Sequence, residues 1–167
     1  AAKSSKIIHE LELEEKKFAL CTFHRAENVD HRERLEWIVE GLNEVAERMQ
    51  VVIPMHPRTR QRMDSFGLMA KVSPRAKVCP PLGYLDILQL EKHSAMILTD
   101  SGGMQKEAFF NRVPCLTLRT ETEWKELLIG GHNRLAIPLV DSIWEKISQV
   151  QKSDLDWSVD LYGNGKS

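Results

Sequence analysis

Short apolar runs alternate along this chain with stretches whose apolar positions recur at helical spacing. Phe18-Ala19-Leu20-Cys21-Thr22-Phe23 reads as a buried strand. From 31 to 49, Leu35, Ile38, Val39, Leu42, Val45, Ala46 and Met49 mark one face of a helix, with Asp30 as its expected N-cap. Val51-Val52-Ile53-Pro54-Met55 is the next strand, followed by a helix over 58–66 that Gly67 breaks. Lys77-Val78-Cys79 is a short strand ended by Pro80-Pro81, and 84–93 reads as helix. Ala95-Met96-Ile97-Leu98-Thr99 is a strand, 103–111 a helix, and Cys115-Leu116-Thr117-Leu118 a strand. A helix over 121–129 stops at Gly130-Gly131, Leu135-Ala136-Ile137 is a last strand, and Asp141 is the expected cap of a helix to about Val150. Before the first strand, Ile7, Ile8 and Leu11 give 3–16 a roughly helical spacing.

Strands that are apolar almost throughout are buried on both faces, as in a parallel sheet covered by helices. The alternation predicts an α/β fold: a three-layer, Rossmann-like domain with a mostly parallel sheet of about six strands. No repeat or linker divides it, so residues 1–167 are expected to form one domain. In such sheets ligands bind beyond the carboxyl ends of the strands.

The stretch Asp100-Ser101-Gly102-Gly103 lies at such an end, between an apolar strand and a helix. Two glycines let a ligand approach the backbone, and the first turn of the helix offers free N–H groups and a positive dipole end to a phosphate. Glu107 lies about one turn further on. A carboxylate repels phosphate but accepts hydrogen bonds from ribose hydroxyls, so the pair suggests a nucleotide. A Gly-rich strand–helix turn without a ligand has the same local pattern.

The other loops at that edge add to the case. They carry His24-Arg25-Ala26-Glu27-Asn28, Met55-His56-Pro57-Arg58, Pro80-Pro81-Leu82-Gly83-Tyr84 and Arg119-Thr120-Glu121-Thr122-Glu123-Trp124. If the strands are parallel, these make one composite site. His24 reads as a ligand contact ahead of a plain loop cap. Arg25 reads equally as a phosphate contact or as an ion-pair partner of Glu27. His56, beside Pro57, reads first as ordering its own turn. Tyr84 can be core or can line a base. Glu107 can instead pair with Lys106 or Arg112, and Trp124 can be core or an exposed platform.

Composition narrows the class. With 23 Lys and Arg against 24 Asp and Glu, the net charge of −1 favours neither nucleic acid nor an anionic membrane. No apolar run has the length of a bilayer-spanning helix, and the polar start is not that of a signal peptide, so the cytoplasm is the expected compartment. Cys21, Cys79 and Cys115 are scattered in apolar runs and are expected to be buried, reduced thiols. There is no Cys-x-x-Cys pair or His/Cys cluster, so no metal site is expected.

Taken together, His24 to Asp30, Met55 to Arg58, Pro80 to Leu85, Leu98 to Ala108 and Pro114 to Glu126 resemble the non-hydrolysing UDP-N-acetylglucosamine 2-epimerase family. The resemblance covers nearly all of the chain but only the C-terminal half of a family member. Tyr162-Gly163-Asn164-Gly165-Lys166 resembles the segment that ends this half, just before a helix crosses back. The resemblance implies one half of a GT-B-type, two-domain enzyme with UDP-sugar in the cleft. Ser101, Gly102, Gly103 and His24 would hold the diphosphate, with His24 stabilising the departing UDP. Glu107 would take the ribose, and the stretch from Tyr84 to Ile87 would border uracil, largely through its backbone. Arg25 and His56 match positions that contact a regulatory UDP-sugar in some bacterial members.

The implied reaction eliminates UDP and re-adds it after protonation of the opposite face at C2. It needs no metal or redox cofactor, and it belongs to cell-envelope polysaccharide biosynthesis. The proton-transfer carboxylates belong to the N-terminal domain, which this sequence lacks along with the final crossing helix. No general acid or base is therefore assigned to Asp100, Glu121 or Glu123. The expected partners are the UDP-sugar, the N-terminal domain and, in the intact enzyme, a second copy in a homodimer. The chain alone is expected to bind UDP weakly and not to epimerise.

Thr122-Glu123-Trp124-Lys125-Glu126 stands where many members carry Thr-Glu-Arg-Pro-Glu, so Trp124 replaces the arginine, and the Glu-Thr-Glu-Trp form from Glu121 to Trp124 resembles the branch acting on UDP-2,3-diacetamido-2,3-dideoxy-glucuronic acid and some archaeal members. Two other classes share parts of this reading: a GT-B glycosyltransferase donor domain and a free-standing nucleotide-sugar binding module.

Overall fold

Six strands pair in parallel into one sheet of order β3-β2-β1-β4-β5-β6. They are β1 (Phe18–Thr22), β2 (Gln50–Pro54), β3 (Ala76–Cys79), β4 (Met96–Thr99), β5 (Cys115–Thr117) and β6 (Asn133–Leu135) in a computed structural model that describes residues 5–162. Register pairs Thr22 with Thr99 across β1 and β4, so the loops after these two strands lie side by side. The chain turns from one half of the sheet to the other between β3 and β4, and that reversal opens a crevice at the strands' carboxyl ends.

The alternation along β1 explains the layers. Ala19 and Cys21 face a core built with α3 (Arg32–Ala46), Met63 of α4 (Pro57–Ser65) and Ile143, Ile147 and Val150 of α8 (Ile143–Gln151). Phe18 and Leu20 face a second core with Ile7 of α1 (Ile7–Glu10), Leu90 of α5 (Tyr84–His93) and Ala108 of α6 (Gly102–Phe110). Two cores on opposite faces of one sheet make the three layers expected from the sequence. Two short helices complete the fold: α2 (Ala26–Val29), directly after β1, and α7 (Lys125–Ile129).

Several boundaries differ from the sequence reading. Among the described residues of 3–16, the spacing yields only the single turn of α1, because Glu12 and Lys16 take left-handed backbone (φ 54° and 57°) that ends a helix. Asp30 does not cap α3. It closes α2 and is held by Arg58 and Arg62, at 2.9 and 3.1 Å, and His31 takes the N-cap position. Asp141 accepts the N–H of Ile137, and Ser142 caps α8 by accepting from Glu145. The helix expected over 121–129 starts at Lys125, since the residues before it are committed to side-chain contacts described below. The last strand lies two residues earlier than expected, at Asn133–Leu135. Cys21 and Cys115 are buried, but Cys79 is only half-buried; all three are free thiols. The segment from Gly163 to Lys166 lies outside the described residues. Among those residues, no helix is long and apolar enough to cross a membrane.

Candidate functional site at the ends of the first and fourth strands

Asp100 organises the crevice. It follows β4 and is fully buried. Its carboxylate accepts the backbone N–H of His24 (3.1 Å to each oxygen), the N–H of Arg25 (3.0 Å) and the Asn28 amide (2.9 Å). Asn28 is itself buried and also donates to the carbonyl of Leu118 at 3.0 Å. One carboxylate thus fixes the loop after β1 against the start of α6. The His24 ring lies exposed above it, with Nδ1 3.6 Å from Asp100 Oδ1. The sequence placed Asp100 and Asn28 in candidate loops but gave neither this bracing role. The available signal was a charged residue directly after an apolar strand and a lone amide inside a charged loop.

The start of α6 is built for exposure of its backbone. Ser101 is the N-cap: its hydroxyl accepts the N–H of Met104 at 3.3 Å, while its own N–H donates to Thr99 Oγ1 at 2.9 Å. The Ser101 backbone is therefore not free for a ligand, although the resemblance groups it with the diphosphate contacts. The next two N–H groups, of Gly102 and Gly103, have no acceptor among the described residues, as expected for the first turn of a helix. A Cβ on Gly103 would meet open space. A Cβ on Gly102 would strike the Glu123 carboxylate and push it from its place beside the helix start.

The loop before α7 braces the same helix end. Arg119, largely buried, pairs with Glu123 at 3.1 Å and neutralises the carboxylate that lies against Gly102. Thr122 donates to the buried Gln105, whose side chain in turn donates to the Ser101 carbonyl at 3.2 Å. Asn133, also donating to Gln105, and Thr117 extend this network under the helix.

Trp124 is neither core nor open platform. Its indole N–H donates to the Gly102 carbonyl at 2.7 Å, and the Lys106 ammonium lies 5.0 Å from its ring centroid. Lys106 also faces the Tyr162 ring at 4.6 Å, so it is occupied by aromatic faces and not by Glu107. Positive charge therefore stands beside Trp124, the position at which many sequences of the resembled family carry arginine.

Glu107 is exposed, and its carboxylate meets Glu91 of α5. Tyr84 is 70% exposed at the start of α5, which excludes a core role. Ile87 is half-buried and its N–H donates to the Gly83 carbonyl at 3.1 Å, so only its side chain is available to border a base. On the other side of His24, Arg25 pairs with Glu27 at 3.2 Å, the surface ion pair that the sequence allowed. His56 Nδ1 accepts the N–H of Arg58 at 3.0 Å and so orders its own turn. The parallel sheet thus brings His24, Ser101, Gly102 and Gly103 together, with Glu107 one turn beyond.

Known proteins resemble this chain along its length. The family profile described as UDP-N-acetylglucosamine 2-epimerase matches residues 1–167. A UDP-N-acetylglucosamine 2-epimerase homolog from Methanococcus maripaludis is 41% identical over 167 residues, covering 99% of this chain and 46% of its own. The UDP-2,3-diacetamido-2,3-dideoxy-D-glucuronate 2-epimerase of Pseudomonas aeruginosa is 44% identical over 151 residues, covering 90% and 42%. The crystal structure of Methanocaldococcus jannaschii UDP-GlcNAc 2-epimerase in complex with UDP-GlcNAc and UDP superposes with a TM-score of 0.79 at 35% identity, covering 99% of this chain and 48% of that one. The chain spans about half the length of the curated relatives it matches.

Proposed function

Because the chain belongs to the UDP-N-acetylglucosamine 2-epimerase family, we propose that it is the UDP-binding half of a UDP-sugar 2-epimerase. The observation that carries this reading is the pair of acceptor-free N–H groups of Gly102 and Gly103, set beside His24 and one helical turn from Glu107. Diphosphate oxygens sit on those two N–H groups at the positive end of α6. The His24 ring, held beside them by Asp100, supplies a further donor. Glu107 accepts the ribose hydroxyls, and uracil lies along the start of α5, bordered by Tyr84 and Ile87.

Chemically, this half works on the leaving group. Breaking the bond between sugar and diphosphate places a full negative charge on departing UDP. Donors fixed before the reaction lower that barrier without reorganising. The buried Asp100 contacts and the Gln105 network supply the fixation. The proton transfer at C2 falls to carboxylates of the partner domain, so this chain alone binds UDP and turns nothing over. The sugar is N-acetylglucosamine or the related diacetamido sugar, and Trp124 with Lys106 stands where the two branches differ. Arg25 and His56 match positions that contact a second, regulatory UDP-sugar in some bacterial members of the family, a role they would take in the intact dimeric enzyme.

Calorimetric titration of UDP into this chain and its Glu107→Ala variant tests the reading. Removing an ionised acceptor of ribose hydroxyls is expected to weaken binding by about 1.5–3 kcal/mol. Equal affinity of the two proteins removes Glu107 from the site. Sustained conversion of UDP-N-acetylglucosamine by the chain alone contradicts the placement of the proton-transfer groups.

A further inference from the structure

Glu91 is an anomaly on α5. Tyr84, Ile87, Leu88 and Glu91 share one helical face, and the last is a carboxyl group at a position the pattern reserves for an apolar side chain. It is 1% exposed. Its Oε1 lies 3.4 Å from the Asn111 amide, which also donates to the Glu107 carbonyl at 3.0 Å. Its Oε2 is buried and receives no donor from any other group. The carboxyl group of Glu107, on the neighbouring α6, interacts with that of Glu91. Two carboxyl groups in contact cannot both be ionised at modest cost, so they share a proton. The shared proton stays on the buried Glu91.

We propose that Glu91, as a neutral acid, donates a hydrogen bond to Glu107 and so holds that carboxylate in the orientation that accepts the ribose hydroxyls. Glu91 is then a positioning residue for nucleoside recognition, and the inference rests on the ribose assignment of Glu107. The chemistry it implies is selective. A neutral donor behind Glu107 fixes its direction without cancelling its charge, whereas a lysine or arginine there would reduce its strength as an acceptor.

The surroundings favour the neutral form. Burial, then the hydrogen bond to Glu107 and the charge of Glu107, push the Glu91 ionisation up from 4.5 to about 9. From β5, the Cys115 thiol faces the same space and is pushed up to about 12, chiefly by burial and in part by Glu91. Glu107 of α6 and Cys115 of β5 are the titratable groups that interact with Glu91 from the elements packed against it among the described residues. At neutral pH the donor is in place. In alkaline solution Glu91 ionises and repels Glu107, and ribose loses its oriented acceptor.

The test is calorimetric binding of UDP and of inorganic pyrophosphate to this chain and its Glu91→Gln, Glu91→Leu and Glu107→Ala variants, at neutral and alkaline pH. Glu91→Leu is expected to weaken UDP about 10-fold at neutral pH while leaving pyrophosphate unchanged. Glu91→Gln keeps a neutral donor, so it holds UDP within about twofold of wild type and loses less affinity than wild type on going to alkaline pH. The uracil ring also titrates in that range, but it does so equally for both proteins and cancels in their ratio. If the leucine variant does not fold, the pH ratio of the glutamine variant to wild type decides alone. Wild-type UDP affinity in Glu91→Leu alongside weakened Glu107→Ala overturns this inference and leaves the ribose assignment standing. Unchanged affinity in Glu107→Ala overturns both.

Discussion

Replacing Asp100 with alanine is expected to destabilise the chain by about 3 kcal/mol or more and to weaken UDP binding at least about 10-fold. The carboxylate is fully buried and is the shared acceptor for two backbone N–H groups and the Asn28 amide. Its removal leaves all three donors without that acceptor and leaves a cavity at the end of β4. Because those donors belong to the loop that carries His24, the loss reaches the ligand site. Asp100→Asn keeps one acceptor oxygen and is expected to fall between alanine and wild type in both respects. Chemical denaturation of the three proteins measures the first effect, and UDP titration the second. An alanine variant as stable as wild type contradicts the structural role assigned to this carboxylate.

Glu91→Gln is expected to do the reverse and stabilise the chain, in a pH-dependent manner. In the folded chain Glu91 retains its proton up to about pH 9, whereas an unfolded chain releases it near 4.5. Between those values the folded state binds more protons than the unfolded one, so stability falls as pH rises. By pH 7 this opposes folding by roughly 3 kcal/mol, and near pH 5 by less than about 1 kcal/mol. Glutamine has no proton to lose and removes that slope. Denaturation at the two pH values therefore gives a large difference between variant and wild type at pH 7 and a small one at pH 5. The same difference at both values shows that Glu91 is ionised in the folded chain.

Burial was legible in the sequence, and long-range polar pairing was not. The apolar runs located five strands and came within two residues of the sixth, and the period of Leu35, Ile38, Val39 and Leu42 located α3, because both patterns report which face leaves water. Asp30 and Asp141 looked like helix caps, since capping is a local rule. Each was drawn instead to another partner: Asp30 to arginines on α4, Asp141 to the N–H of Ile137. The start of α7 was displaced for a similar reason, with Thr122 and Glu123 committed to Gln105 and Arg119. Asp100 and Asn28 stand 72 residues apart, and no periodicity connects them. Their pairing follows from β1 and β4 being neighbours in the sheet.

The candidate site divides in the same way. Gly102, Gly103 and His24 were visible as a helix start and a strand-end loop, because a parallel sheet puts such features on one edge. Ser101 proved to be a cap with its N–H already used, and Ile87 to have its N–H within the helix. The Glu91 carboxyl breaks the apolar pattern of α5, but the sequence reading did not pick it out. Its partner on α6 became apparent only when the two helices were seen side by side.

An amide NMR titration of nitrogen-15-labelled protein with UDP, set against the same titration with uridine, tests the central claim most directly. The Gly102 and Gly103 amides are expected to shift saturably with UDP and to stay in place with uridine at equal concentration, since the diphosphate is what they hold. Saturable UDP binding that leaves both amides unmoved, with the largest shifts away from the start of α6, contradicts the account.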